Sequence, residues 1–124
     1  MGYRSEVAIK CEEKAFEMIK EACYKVEVVP DKVYKEDNCY ILWWSWIKWD
    51  DWYDDILEIE TVLKELDKLK DPLETDTGYG YKFIRIGEND DDVETKDNDW
   101  NIELWMIRKI DIQEGLEEIE FEEE

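Results

Sequence analysis

The sequence predicts an α+β domain with two helices packed on one face of a mainly antiparallel four-stranded sheet. Apolar residues alternate at a period of two in four segments and recur at helical spacing in two others, in the order β-α-β-α-β-β. The chain has 124 residues, the size of one domain, and 31 of them are Leu, Ile, Val or Phe. That content exceeds the level of about 20% below which highly charged chains stay disordered. We therefore expect one folded unit.

The first half of the chain contains two of these strands and one helix. Residues 4–12 alternate apolar and charged side chains, which is typical of a half-buried strand. Residues 12–26 carry an apolar stripe at helical spacing, and Pro30 lies beyond its end. The segment 39–49 is rich in Ile and Trp at odd and even positions alike, so we expect a central strand covered on both faces.

The second half adds a helix and a hairpin. Residues 54–69 place Ile and Leu at helical spacing, and Asp71 followed by Pro72 ends the pattern. Residues 79–87 alternate aromatic residues with Gly, Lys and Ile and predict the third strand. Residues 102–107 predict the fourth strand, and we interpret the acidic residues between the two as a turn.

Charge is distributed unevenly along the chain. The first 49 residues carry eight bases and nine acids, whereas the remaining 75 carry eight bases and 27 acids. The acids of this second part form three clusters, at residues 50–60, 88–99 and 114–124. We place the domain at residues 1–112 and assign residues 113–124 to an acidic C-terminal tail, which we expect to be either helical or disordered.

The net charge of −20 and the absence of histidine argue against several classes of function. A protein that binds the phosphate backbone needs a Lys/Arg surface, so we expect no direct binding of nucleic acid. Without histidine the commonest general base, zinc ligand and nucleophile partner are missing, so we expect no enzymatic activity and no cofactor. The three cysteines lack CxxC spacing, and no apolar run is long enough to span a bilayer. We expect a cytoplasmic protein without a membrane partner.

Some of the acids are spaced as metal or catalytic groups often are. Asp90, Asp92 and Glu94 alternate like the first ligands of a Ca²⁺ loop, but Thr95 and Asn101 stand where such a loop needs Gly and Glu. Carboxylate pairs one helical turn apart also occur at the start of the second helix, in a geometry that acid/base catalysis can use. Such pairs arise by composition in a chain with 36 acids. We therefore expect solvated charge and no metal site.

Five of the seven tryptophans lie between residues 43 and 52. Each ring buries on the order of 200 Å², so one small core does not ordinarily take up so many. Trp43, Trp46, Trp49 and Trp52 have two interpretations, as core residues, which is the commoner role, or as anchors for a protein partner. Both interpretations stay open at the level of the sequence.

Three stretches of the chain carry a resemblance to a known group of proteins. They are the opening residues Met1–Ser5, the segment Ile47–Trp49 with the acidic aromatic residues after it, and the strand and turn Tyr81–Asp90. Together they resemble small acidic proteins of bacteriophages and prophages, and only the Glu-rich C-terminus departs from that pattern. The resemblance implies a phage origin without assigned catalytic residues. It also implies inhibition of host defence, since small acidic phage proteins include DNA mimics and anti-CRISPR proteins.

From these features we expect an inhibitor whose acidic face imitates the phosphates of DNA or RNA and occupies a basic groove on a host defence protein. The expected contact residues are Asp50, Asp51, Asp54, Asp55, Glu88, Asp90, Asp91, Asp92 and Glu94, with Trp49 and Trp52 as apolar anchors. The alternative is a structural or assembly protein that forms a homodimer through the Trp-rich strand. A hydrolase that uses carboxylates and Mg²⁺ is the least favoured hypothesis.

Overall fold

The computed structural model has an α+β fold, as the sequence predicts, but its sheet has six strands instead of the expected four. The residues it describes are 4–36, 38–49, 53–69, 78–89, 91–98, 102, 117–119 and 121. Within these ranges the elements, in chain order, are β1 (Ser5–Glu12), α1 (Glu13–Val26), β2 (Lys32–Glu36), β3 (Cys39–Ile47), α2 (Asp54–Leu69), β4 (Tyr81–Ile86), β5 (Val93–Asp97) and β6 (Glu117–Ile119).

The six strands form one sheet in the order β5-β4-β1-β3-β2-β6, and every pairing in it is antiparallel. β1 lies in the interior of the sheet, where Ile9 faces Leu42 of β3 on one side and Phe83 of β4 on the other. α1 and α2 contact each other and share one apolar core with one face of the sheet. Two helices on one face is the predicted arrangement.

Apolar side chains are buried on both faces of the sheet. The main core joins Ile19 of α1 and Leu63 of α2 to the face of the sheet that carries Ile9 and Leu42. A smaller cluster lies on the other face, because neighbouring residues of a strand point in opposite directions. Its buried members are Ala8, Ile41, Ile84 and Ile86. β3 contributes to both clusters, which agrees with the prediction of a central strand covered on both faces.

The three strands missing from the sequence prediction are short and mostly charged. β2 (KVYKE) and β5 (VETKD) have five residues each, and β6 (EEI) has three. β5 lies in the segment that we assigned to an acidic turn, at the end of the sheet order beside β4. Such a position tolerates charged side chains, because an edge strand keeps contact with water. The expected fourth strand at residues 102–107 lies outside the described residues beyond Ile102.

The described residues near the C-terminus contact the domain, which corrects the expectation of a helical or disordered tail there. β6 pairs with β2, and Ile119 faces Val33. The ring of Phe121 stacks on Tyr24 with 4.9 Å between the ring centroids. The hydroxyl of Tyr24 donates a hydrogen bond of 2.5 Å to the carbonyl of Phe121. The three apolar residues of this segment, Leu116, Ile119 and Phe121, stand among glutamates at spacings of three and two, which is too weak a pattern to predict these contacts.

Both helices lie where their apolar spacing predicts them. α1 ends because Glu27 adopts a left-handed conformation with a φ of 59°. This conformation lets the backbone N–H of Val28 donate to the carbonyl of Cys23 at 3.0 Å, which closes the last turn. Since α1 follows β1 directly and packs back along the sheet, its end brings Val28 and Val29 close to the start of β1.

Candidate functional site

The expected contact residues that the structure describes gather at one end of the molecule. At this end Ser5 of β1 pairs with Ile47 of β3, and the neighbouring Glu6 pairs with Ile86 of β4. β3, β4 and α1 therefore all end here, while β1, β5 and α2 begin here. We call this region the acidic end and define it by five residues from the start of α2 and the β4–β5 connection: Asp54, Asp55, Glu88, Asp91 and Asp92.

The carboxylates at the start of α2 point to solvent or to their own helix. Asp54 is exposed, and Asp55 is half-buried. Asp55 accepts a hydrogen bond of 2.8 Å from the backbone N–H of Ile56 through Oδ1. Acids in the first turn of a helix interact favourably with its unpaired N–H groups and dipole. The hydrogen bond to Ile56 thus holds the carboxylate of Asp55, and the first turn of the helix exposes Asp54 to solvent.

The connection between β4 and β5 is closed by its own hydrogen bonds. The N–H of Gly87 donates to the carbonyl of Asp92 at 2.8 Å, and the N–H of Asp92 donates to the carbonyl of Asn89 at 3.0 Å. Glu88 and Asp91 are exposed on this connection. The hairpin therefore presents these two carboxylates from a defined backbone.

Arg85 of β4 binds two other acids of the hairpin, Asp92 and Glu94. Its guanidinium donates to both carboxylate oxygens of Asp92, at 2.9 and 3.2 Å, and to Glu94 at 3.1 Å. It also donates to the hydroxyl of the buried Ser5 at 3.1 Å, which connects the hairpin to β1. The hydrogen bond with Asp92 is the largest cause of the raised pKa of Arg85. Asp92 and Glu94 thus help to hold the hairpin, and Arg85 offsets part of their charge.

A buried carboxylate that the sequence analysis did not single out fastens the hairpin to α2. Both oxygens of Glu60 accept hydrogen bonds of 2.9 Å from Nζ of Lys96 on β5. Nζ of Lys96 also lies 3.5 Å from Glu94 and 5.3 Å from the centroid of the Phe83 ring. Burial lowers the pKa of Lys96, but the hydrogen bonds and charges of Glu60 and Glu94 together outweigh it, and the pKa is raised. Glu60 occupies a buried position of α2 next to Ile59. A charged residue within the apolar stripe of the predicted helix is the feature of the sequence that could have identified it.

The tryptophans separate into buried and exposed residues. Trp49 is only 6% exposed and packs against Trp44 and Phe83, with centroid distances of 5.3 and 5.7 Å. This burial corrects its assignment as a surface anchor, because its ring belongs to the main core. The indole N–H of Trp43 donates to Glu6 at 2.8 Å. Trp46 is 55% exposed and is the tryptophan that the described part of β3 presents to solvent.

Asp50, Asp51, Asp90 and Trp52 lie outside the described residues. Among the residues that are described, no group of three or more His, Cys, Asp or Glu side chains is arranged to hold a metal ion. Cys11, Cys23 and Cys39 are free thiols. No helix within the same ranges is long and apolar enough to cross a membrane.

Comparison with known proteins adds no relative to this picture. No protein-family model matches the chain, and no curated protein or solved structure matches it either. The resemblance to acidic phage proteins therefore stays a prediction.

Proposed function

We propose that this protein is a non-catalytic inhibitor that binds a basic, nucleic-acid-binding surface of another protein through its acidic end. The observation that supports the proposal is the grouping of outward-facing carboxylates at one end of the molecule. Asp54 is presented by the first turn of α2, while Glu88 and Asp91 are presented by the hydrogen-bonded β4–β5 connection. Carboxylates on such fixed elements lose little conformational entropy when a partner binds.

Electrostatics favour a basic partner of this kind. The chain carries a net charge of −20, and duplex DNA carries one negative charge per ~1.7 Å of its axis. A surface that binds phosphates is therefore attracted to the negative charge of this chain as well. Opposite charge accelerates association and suppresses the binding of acidic competitors.

The target that fits the phage-like stretches of the sequence is a host defence protein that handles nucleic acid, in the cytoplasm of the host cell. A homodimer through the Trp-rich strand remains the second hypothesis. It is less well supported because β3 pairs with β1 on one side and with β2 on the other. Trp44 and Trp49 are also buried in the core of the same chain.

Affinity capture at low and high salt tests the proposal. The intact protein should capture a basic nucleic-acid-binding protein from host lysate at low salt, release it at high salt, and compete with DNA or RNA for it. Asp54→Lys combined with Glu88→Lys should weaken capture. The matched control is Glu13→Lys combined with Glu17→Lys, two exposed acids of α1 whose reversal changes net charge equally. If both double variants lose capture to the same extent, net charge and not the acidic end determines binding, and the proposal fails.

A further inference from the structure

The described residues near the C-terminus form a small unit at one edge of the sheet. β6 has three residues and pairs with β2, at the edge opposite to β5. Glu117 and Glu118 are exposed, and Ile119 and Phe121 are half-buried. We call these four residues the C-terminal segment. A short strand near a chain terminus that buries so little of its surface opens at a lower free energy than the core strands do.

The groove that receives the C-terminal segment is formed by β2 and α1. Ile119 lies opposite Val33, which is buried in the main core. The ring of Phe121 lies between two aromatic rings of α1. It stacks on Tyr24 and meets the edge of Phe16, at centroid distances of 4.9 and 6.3 Å. The groove therefore selects an apolar residue and, two positions later, an aromatic one.

The charges of the groove also fit the segment. Lys35 of β2 lies directly opposite Glu117, and Nζ of Lys32 lies 3.8 Å from a carboxylate oxygen of Glu118. Residues 1–49, to which the groove belongs, carry eight bases and nine acids, so the segment meets a nearly neutral part of the chain. Opposite charges across two paired strands stabilise the pairing and define its register.

A second copy of the chain offers the same segment to the same groove, because both molecules have identical residues. The length of the chain before β6 permits this exchange. β5 and β6 lie at opposite edges of the six-stranded sheet, about 24 Å apart at ~4.8 Å per strand. The 19 residues 98–116 that connect them reach about 60 Å when fully extended. The connection is therefore long enough to place the segment on a neighbouring molecule.

We infer that two copies of this protein exchange their C-terminal segments, so that the groove of each copy holds β6 and Phe121 of the other. Each copy then completes the main core of the other, because Ile119 and Phe121 pack against that core. Two chains that each carry a net charge of −20 repel each other, so added salt should favour the exchanged dimer. Salt should have the opposite effect on a basic partner of the acidic end. The exchange goes beyond the proposed function and does not depend on it.

Disulfide trapping in the full-length chain tests the exchange. Lys35→Cys and Glu117→Cys are made in separate chains, both with Cys39→Ser to remove the half-buried native thiol. Residues 35 and 117 are exposed and directly opposite each other, which is close enough for a disulfide. The control mixture pairs Lys35→Cys with Glu17→Cys, at an exposed position of α1. The first mixture should form the mixed disulfide at least about tenfold faster than the control mixture, since exchange raises the effective concentration of the two thiols.

Two further measurements examine the contacts and the assembly. Phe121→Ser in the Glu117→Cys chain should return the first mixture to the control rate, because the segment then loses its ring contact with Tyr24. Sedimentation of the parent protein should show a dimer whose fraction rises with salt. Equal rates in the two mixtures, or a rate that Phe121→Ser leaves unchanged, would overturn the exchange. A parent protein that sediments as a monomer at every salt concentration would overturn it as well, and the proposed function of the acidic end would be unaffected.

Discussion

Asp92 and Glu94 of the β4–β5 hairpin and Asp54 at the start of α2 lie at the same end of the molecule, but they have different roles. Asp92 and Glu94 accept hydrogen bonds from Arg85, and Glu60 on α2 accepts two from Lys96 of the hairpin. Asp54 instead stays exposed in the first turn of α2. Asp92 and Glu94 thus mainly hold the fold together, whereas Asp54, like the exposed Glu88 and Asp91 of the hairpin, keeps its charge accessible to a partner.

This difference shows that a count of acids overstates the charge that a partner meets. An ion pair that is partly screened from water stabilises the fold and presents a weak field, because the positive partner sits within hydrogen-bond distance. An exposed carboxylate stabilises the fold little and presents its full charge. The two groups should therefore respond differently to substitution, in stability and in binding.

The largest loss of stability is expected for Arg85→Ala. The guanidinium bridges Asp92, Glu94 and Ser5, and its side chain is largely shielded from solvent. Its removal leaves two carboxylates close together without their shared cation, and we expect a loss of about 3 kcal/mol in the free energy of unfolding. Urea denaturation measures this loss. Lys64→Ala, at an exposed position of α2, is the control, and equal stability of the two variants would contradict the structural role of the hairpin acids.

A loss of about 2 kcal/mol is expected for Lys96→Met, because it leaves the buried carboxylate of Glu60 without its cation. Glu60→Gln in the same chain removes that uncompensated charge, so the double variant should be more stable than Lys96→Met alone. Thermal or urea unfolding of both variants measures the difference in their stability. A double variant that is less stable than the single one would show that an uncompensated charge on Glu60 is not what destabilises Lys96→Met.

Alkaline pH should weaken the contact between β4 and the end of α2. Burial, followed by the charge of Asp67, raises the pKa of Tyr81, whose hydroxyl donates to Asp67 at 3.0 Å. A raised pKa means that the folded protein holds the proton more tightly, so this contribution is complete below pH about 10 and decreases as the pH rises further. Urea unfolding between neutral and alkaline pH measures the decrease.

The control for this pH dependence is Tyr81→Phe, which lacks the titrating hydroxyl. Burial also raises the pKa of Cys23 to about 12, and that thiol lowers stability at high pH in both proteins. The variant should therefore lose less stability between neutral and alkaline pH than the parent protein does. Parallel pH profiles of the two proteins would show that Tyr81 does not contribute.

The sequence predicted those parts of the fold in which burial dominates. The helix at residues 54–69 matches α2, and the strand at residues 4–12 matches β1 to within one residue, because both carry a regular apolar pattern. β2, β5 and β6 were not predicted, since short, mostly charged strands are stabilised by pairing with a neighbour that sequence spacing does not reveal. Local pattern thus identifies the core elements better than the edges.

The candidate site was predicted less completely than the fold. Acidic composition alone singled out Asp54, Glu88 and Asp91, which the structure places on one end of the molecule. The same composition could not show that Arg85 binds Asp92, because that contact depends on the hairpin. The sequence predicted the exposure of the tryptophans least well, since the exposure of Trp46 depends on one extra residue in β3.

The smallest loss of stability is expected when the acids at the start of α2 are neutralised. The same change should weaken binding more than neutralising the hairpin acids does. Asp54→Asn with Asp55→Asn removes two charges, and Asp92→Asn with Glu94→Gln removes the same number from the hairpin. The α2 pair should lose about 0.5 to 1 kcal/mol of stability, the usual contribution of acids near a helix N-terminus. The hairpin pair should lose more stability, because Arg85 then keeps its charge without either carboxylate. Association with a synthetic peptide that alternates Arg with Ser, measured at low salt, should show the reverse order, since exposed charge sets the rate of encounter. If the hairpin pair slows association more than the α2 pair does, carboxylates held by Arg85 contact the partner directly, and the division between the two groups is wrong.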